Sequence, residues 1–437
     1  MKTYQLFIIS ITFIITGNLY SASNTSEYDT TLIYNTMIKA QNGEDITIGV
    51  FGGSITAGSL ASSESKRWAN LVTDWWINNF TESTVNLINA GIGGTGSDVG
   101  VHRINDDLLI YKPDFVIVEF AVNDAGINST YVQQMLEGVV RQLLDNDIAV
   151  MLLLLKMETW GSAQDDHKVV GNYYKIPMVS YADLIDSAVA ADGLVLSDVF
   201  GDSPGVHPND AGMQYIADFI IEELDIIHNS IPTGASIIEI TDTLPAPIIS
   251  NNYDKTFKYT NKILAPESNK GWSIKGDGWF AEEINSEISF KVDGNAVSIL
   301  YSKHNDDFRG RAEVWIDNGT PITLDAYWEE TWGPATKFQL VKDGMESGEH
   351  TLHVKIIEES SNEGERHYFE IQNVLKAGNI VNIAPIADPG DKKKILTGTE
   401  VTLDGSASFD PDSTNDITYS WSLISSPENS NLTIDNS

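Results

Sequence analysis

Four short blocks hold the residue types that nucleophilic acyl chemistry needs. The first is Gly52-Gly53-Ser54-Ile55-Thr56-Ala57-Gly58 and the second Asn89-Ala90-Gly91-Ile92-Gly93-Gly94-Thr95-Gly96-Ser97. The third is Glu119-Phe120-Ala121-Val122-Asn123-Asp124 and the fourth Gly205-Val206-His207-Pro208-Asn209-Asp210. A serine hydroxyl is a weak nucleophile until a base takes its proton. Ser54 follows an apolar run and two glycines, so the backbone can turn tightly and present its oxygen. Taken alone, Ser54 reads equally well as a turn or N-cap serine. His207 is the candidate base, on a loop just before Pro208-Asn209-Asp210 opens a helix. Attack on an acyl carbonyl also needs donors for the oxyanion of the tetrahedral intermediate. Gly94 offers a backbone N–H with no side chain in the way, and Asn123 offers a side-chain amide. In isolation each is more simply a turn or capping residue; together and in order they form a pattern.

The elements that must position these blocks alternate over residues 28–230. Ile46–Phe51, Val85–Ile88, Phe115–Phe120 and Ile148–Leu155 read as apolar strands, with a short fifth at Met178–Ser180. Phe115–Phe120 is nearly all apolar, as a strand buried on both faces should be. Arg67–Phe80, Tyr131–Leu144 and a last segment from Asp210 carry helical periodicity. This order predicts a parallel sheet with helices on both faces and a ligand site beyond the carboxyl ends of the strands. The four blocks fall at that end.

The blocks resemble those of the SGNH, or GDSL-type, hydrolases of ester bonds, over roughly residues 44–228. The resemblance implies a flavodoxin-like α/β fold, Ser54 as nucleophile and His207 as base. It also implies an oxyanion hole made of the N–H groups of Ser54 and Gly94 and the amide of Asn123, with Gly93 the second choice of glycine. No metal or organic cofactor is implied. One position departs from the family pattern. An aspartate usually stands three residues before the histidine, where this chain has Pro204. Asp202 lies five residues before His207 and Asp198 nine before. Either Asp202 replaces the usual carboxylate, which is the preferred reading, or a backbone carbonyl orients the imidazole of a Ser–His dyad.

Other histidines read differently. His167 falls in a polar stretch taken as a loop, His102 in a helix after Ser97, and His228 after the last helix. His304, His350, His353 and His367 lie in the C-terminal half. Two further motifs are decoys. Gly91–Gly96 matches G-x-G-x-x-G, but at the second strand–helix turn, and Glu119 sits within a strand instead of at its tip. Gly201–Gly205 matches G-x-S-x-G, yet His207 follows too closely and Pro204 opens no helix.

Composition bounds the rest. The 437 residues carry 27 Lys+Arg against 62 Asp+Glu, a net charge of −35. So acidic a surface disfavours nucleic acid and anionic membrane faces. The chain has no cysteine, which excludes disulfides, thiolate nucleophiles and Cys-ligated metals. Lys2 and the apolar run Leu6–Ile15, broken by Gly17 and Asn18, read as a signal peptide over residues 1–21. The expected address is therefore secreted or periplasmic, with no membrane span in the mature chain.

The expected organisation is an SGNH hydrolase domain over 28–230 and a Pro-containing linker over 231–251. An all-β sandwich follows over 252–378 and a partial, PKD-like immunoglobulin module over 384–437. In the last module Val401–Leu403 and Ile417–Leu423 read as strands, and Asp404, Asp410, Asp412 and Asp416 as a solvated acidic loop in place of a Ca²⁺ site. Trp68, Trp75 and Trp76 read as core. Trp272, Trp279, Trp315, Trp328 and Trp332 are sugar-stacking candidates, with sandwich core the simpler reading. The expected function is an exported serine esterase removing O-acetyl groups from a polysaccharide or oligosaccharide, an acylated carbohydrate being the partner. The alternatives are a lipase or thioesterase of the same family, or an inert carbohydrate-binding or adhesion protein.

Overall fold

A computed structural model describes residues 28–159, 161–241, 243–249, 252–331, 333–346, 348–360 and 367–378, and from there on only 385–390, 393, 400–408, 417–423 and 425. The expected signal peptide lies outside the described residues, as do Trp332, Asp410, Asp412 and Asp416.

Five parallel strands form the first sheet: β1 (Ile46–Gly52), β2 (Val85–Gly91), β3 (Phe115–Glu119), β4 (Ala149–Leu153) and β5 (Met178–Val179). Their order is β2-β1-β3-β4-β5, the flavodoxin-like arrangement. Every residue of β3 and β4 is buried, which is why both read as continuous apolar runs. Among the described residues eight α-helices flank the sheet: α1 (Thr31–Gln41), α2 (Ser54–Ala57), α3 (Trp68–Asn79), α4 (Ser97–Asp107), α5 (Ser129–Leu144), α6 (Gln164–Tyr173), α7 (Tyr181–Ala191) and α8 (Asp210–Asn229). One face is closed by α3 and α8, where Trp68, Trp76, Met213, Ile216 and Ile220 meet Phe115 and Ile117. Each such large side chain contributes about 2 kcal/mol or more by leaving water. On the other face Val101, Ile104, Leu136 and Val139 meet Phe51, Val116 and Phe120.

His167 corrects the sequence reading: it lies in α6, not a loop, and its ring is fully buried. Helix α6 has a weakly apolar, polar-rich sequence, so its periodicity is faint. Glu119 is a second correction, because it is the last residue of β3 and thus at the strand tip.

The linker carries no helix or strand over its described residues, but it is pinned to the α/β domain. Asn35 exchanges two hydrogen bonds with the Ile238 backbone, both 2.8 Å. Arg141 and Tyr173 donate to the carbonyls of Pro245 and Ala246.

Among the described residues eleven strands follow: β6 (Thr256–Tyr259), β7 (Ser268–Lys270), β8 (Ser273–Lys275), β9 (Gly278–Ala281), β10 (Glu287–Val292), β11 (Ala296–Lys303), β12 (Gly310–Ile316), β13 (Ile322–Asp325), β14 (Ala335–Lys342), β15 (His350–Ser360) and β16 (Phe369–Ala377). They form two antiparallel sheets, β13-β12-β15-β10-β7 and β14-β11-β16-β9-β8, with β6 also paired to β16. Trp279, Phe290, Val314, Leu352 and Phe369 fill the core between them. Trp272 and Trp279 are buried there, so neither presents a face to a sugar. Trp315 is half-buried and stacks on His353, and Trp328 is half-buried beneath the Lys337 ammonium. Beyond the sandwich, Val401–Leu403 and Ile417–Leu423 form no strand, contrary to the sequence reading.

Helix α4 is shared by the two domains. His102 stacks on Phe338 and meets Tyr253 edge-on, both with ring centroids 5.8 Å apart. Thr256 Oγ1 donates to the Val101 carbonyl at 2.6 Å, and Lys258 pairs with Asp106 at 2.8 Å. Burial pushes the His102 imidazole down to about 3, the Lys376 backbone opposing it only in part. The folded protein therefore holds this ring neutral where the unfolded chain, near 6.5, takes a proton. Stability from His102 is full above pH 6.5 and is lost as pH falls toward about 3. In His102→Phe, which keeps the stack without the titration, the acid loss of thermal stability should be smaller than in wild type between those limits. Parallel curves through that window would contradict this.

Candidate active site

Strand register brings the first three blocks side by side. Gly52, at the end of β1, lies opposite Gly91 of β2 on one side and Glu119 of β3 on the other. The strand order reverses between β1 and β3, the point where such sheets open a crevice. Ser54 begins α2 immediately after Gly53. A Cβ on Gly91 would stand 2.3 Å from the Ala57 nitrogen, so only glycine lets α2 pack this closely against β2. Asn89 Nδ2 donates to the Thr56 carbonyl at 2.9 Å. From α4, the buried Arg103 donates to the carbonyls of Ala90 and Gly52, at 2.8 and 2.9 Å, which binds the ends of β1 and β2 together.

The fourth block arrives on the loop before α8. His207 Nε2 lies 2.8 Å from Ser54 Oγ, and His207 Nδ1 lies 2.5 Å from Asp202 Oδ2. The other Asp202 oxygen accepts the N–H groups of Val206 and His207, at 2.8 and 2.9 Å. Desolvation raises the Asp202 carboxyl, but those N–H groups and the imidazole outweigh it and hold the carboxyl below its ordinary value. An ionised Asp202 accepts the Nδ1 proton, leaving Nε2 as the acceptor facing Ser54. Pro204 does not interrupt the pattern, because the carboxylate comes from two residues further back. Asp198 is turned to the N–H of Val195 instead.

Neighbouring segments fix this loop. Gly205 N–H donates to Glu158 Oε2, and Glu158 N–H returns a bond to the Gly205 carbonyl. Ser62, downstream of Ser54, gives both its N–H and its hydroxyl to Asp210 at the start of α8. Asn209 caps α8 through the N–H groups of Ala211 and Gly212.

The candidate oxyanion residues lie close to the Gly53-Ser54 turn. A Cβ built on Gly53 would fall 2.1 Å from Asn123 Oδ1, and one on Gly93 would lie 3.7 Å from Ser54 Cβ. Gly94 is held at φ +71°, a conformation that glycine adopts without strain. The structure thus assembles Ser54, His207 and Asp202 in one hydrogen-bonded row, with Gly93 and Asn123 beside the Gly53-Ser54 turn. Such a row can pass the serine proton to the imidazole and meet an acyl oxygen with amide donors.

Three groups near this row have no role in the sequence reading. Glu119 Oε2 accepts the Thr56 hydroxyl at 3.0 Å beneath the Ser54 turn. Asp124 Oδ1 accepts the Ser97 N–H at 2.8 Å, and its Oδ2 lies 2.9 Å from His167 Nε2. Sequence offers one signal for Asp124, its place directly after Asn123, and none for His167, which lies 43 residues away. The Asp124 carboxylate also disposes of the dinucleotide motif, since it occupies the N-terminus of α4 where a phosphate would bind.

Residues 50–215 match the GDSL-like Lipase/Acylhydrolase family. This segment belongs to that family. Two curated relatives align with the GDSL-like domain. A "Thioesterase 1/protease 1/lysophospholipase L1" of Escherichia coli is 23% identical over 185 residues, 42% of this chain and 85% of the relative. An "Arylesterase" of Vibrio mimicus is 24% identical over 185 residues, 40% of this chain and 86% of the relative. Among solved structures, a two-domain esterase active on acetylated mannans superposes with TM-score 0.70 and 28% identity. That match covers 82% of this chain and 99% of the other, so it extends through the sandwich. The same esterase has also been crystallised with mannopentaose.

Burial pushes the Glu119 carboxyl up to about 7, against the lowering pull of the Thr56 hydroxyl and the Gly53 N–H. The folded state then keeps a proton that the unfolded chain gives up near 4.5. Glu119 therefore withdraws stability as pH rises from 4.5 to about 7. Glu119→Gln should remove that decline, so thermal unfolding scanned over this range should give a flatter curve than wild type. An equally sloped curve would show that Glu119 is ionised throughout.

Proposed function

We propose that this carboxylic ester hydrolase removes O-acetyl groups from a polysaccharide or oligosaccharide, with Ser54 as nucleophile, His207 as general base and acid, and Asp202 as the orienting carboxylate. The observation that carries the reading is the unbroken row from Asp202 through His207 to Ser54, with contacts of 2.5 and 2.8 Å. Ser54 Oγ attacks the acetyl carbonyl carbon as its proton passes to His207 Nε2. The N–H groups of Ser54 and Gly94 and the amide of Asn123 hold the oxyanion. Collapse of this intermediate breaks the ester bond, and His207 gives the proton to the departing sugar oxygen. Water then attacks the acetyl-enzyme, losing a proton to His207, and acetate leaves. Asp202 keeps the imidazole in the productive tautomer and stabilises its charged form.

The carbohydrate part of the proposal has two supports. One is the likeness to a mannan-active esterase through both domains. The other is a cleft of about 460 Å³ between them, which starts at Ile92 and Thr95 of the second block. Its far wall is sandwich: Thr336, Gln372, Asn373 and the Lys275–Glu370 ion pair. The hydrogen-bonding groups of that wall suit a hydroxylated chain. Lys2 and Leu6–Ile15 support export, which a polymeric substrate requires. Among the described residues no helix is long and apolar enough to cross a membrane.

Acetate release from acetylated mannan, xylan and an aryl acetate tests the proposal. Ser54→Ala should abolish release, and Asp202→Ala should lower kcat by roughly 10²–10⁴. Release from the aryl acetate alone would remove the carbohydrate assignment. Release that survives Ser54→Ala would remove the nucleophile.

A further inference from the structure

We propose that Asp124 and His167 are a buried positioning pair that sets the spacing between the two loops donating to the oxyanion. This rests on the ester-hydrolase reading and on Gly94 and Asn123 as donors, but neither Asp124 nor His167 touches the reacting atoms in it. The two loops come from different strands: Gly94 follows β2, and Asn123 follows β3. Their separation must hold to a fraction of an ångström, because an amide donor misplaced by about 1 Å can cost roughly 10² in rate.

Helix α4 opens at Ser97, and its N-cap is Gly96, which has no side chain to accept the first free N–H groups. A serine, aspartate or asparagine at that position would cap the helix locally. Here a Cβ on residue 96 would stand 2.4 Å from Asp124 Oδ1, so the space is already filled. The cap is supplied instead from the third block, by a carboxylate directly attached to the chain of Asn123. One side of Asp124 thus holds the segment that carries Gly94, and its own backbone carries the other donor.

A carboxylate 1% exposed is costly unless its remaining lone pairs are met. His167, fully buried, meets them through Nε2. Its Nδ1 has no partner, so the ring proton belongs on Nε2, where the carboxylate accepts it. The imidazole in turn is held by α6, whose preceding residue Ala163 donates its N–H to the Ala121 carbonyl in the third block. Both ends of the pair therefore return to the same loop, which is what a spacer needs and a plain helix cap does not.

The test compares wild type with Asp124→Ala, His167→Leu and His167→Gln on an aryl acetate. The endpoint of titration with a phosphonate ester counts competent serines, so that folding losses drop out of kcat. For Asp124→Ala and His167→Leu, kcat per titrated serine should fall about 10–100-fold while KM moves less than about threefold. His167→Gln, whose amide can donate to the same carboxylate, should recover most of the loss. If Asp124→Ala does not fold, the isosteric Asp124→Asn carries the test. Its oxygen can still accept from Ser97, but its NH₂ must face His167 and drive the ring proton onto the partnerless Nδ1. About a tenfold loss of kcat is then expected. Unchanged kcat per titrated serine in the folded variants, or His167→Gln no better than His167→Leu, would overturn the pair's role. A wild type inactive on every ester would remove the ester-hydrolase reading and this inference with it.

Discussion

The alignment of Gly52 with Gly91 and Glu119 is the constraint on which the rest of this site depends. Parallel pairing with a period of two leaves no freedom: a slip of one residue in β2 or β3 would turn every side chain to the opposite face. It would also carry Asn123 and the Gly93–Gly94 turn away from Ser54. The register is held from below by strands buried on both faces and from above by Arg103, which takes one carbonyl from each of β1 and β2. The Ser54 turn, the candidate oxyanion turn and the Asn123 loop are consequences of that shared edge.

The histidine loop is fixed by different means, because it belongs to no strand of the sheet. Asp202 folds the loop upon itself through two N–H groups and the imidazole, while Glu158, Asp210 and Asn209 tie it to β4, the Ser54 side and α8 in turn. The sandwich enters through α4, the helix whose N-terminus borders the site and whose outer face stacks His102 on Phe338. One helix therefore carries both the wall of the site and the seat of the second domain. This gives a physical reason for a cleft that begins at the second block and ends on sandwich strands.

Much of this was legible in the residues, and the misses share a cause. Strands β1 to β4 and helices α3, α5 and α8 follow from dense apolar runs or clear helical faces. The four blocks stand out because their glycines, Ser54, Asn123 and His207 cluster within a few positions of strand ends. Asp202 was readable as a preferred carboxylate despite Pro204, since only loop length had to give. His167 was not, because a polar-rich helix hides a buried histidine and its partner lies far away in sequence. Glu119 stands at the strand tip because β3 ends one residue before its apolar run does. Trp272 and Trp279 show the converse limit: aromatic content gives no sign of which face of a strand points inward until the partner sheet is known. The last segment reads like the opening of a module, yet its described residues pair into no sheet.

Asp202 and His207 together are proposed to make Ser54 a nucleophile. Covalent capture by a phosphonate ester, read by peptide mass spectrometry, tests it most directly. A single adduct on Ser54 is expected in wild type, formed far more slowly in His207→Ala, with the other serines unlabelled. An adduct on another residue, or labelling of Ser54 at an unchanged rate without His207, would contradict it.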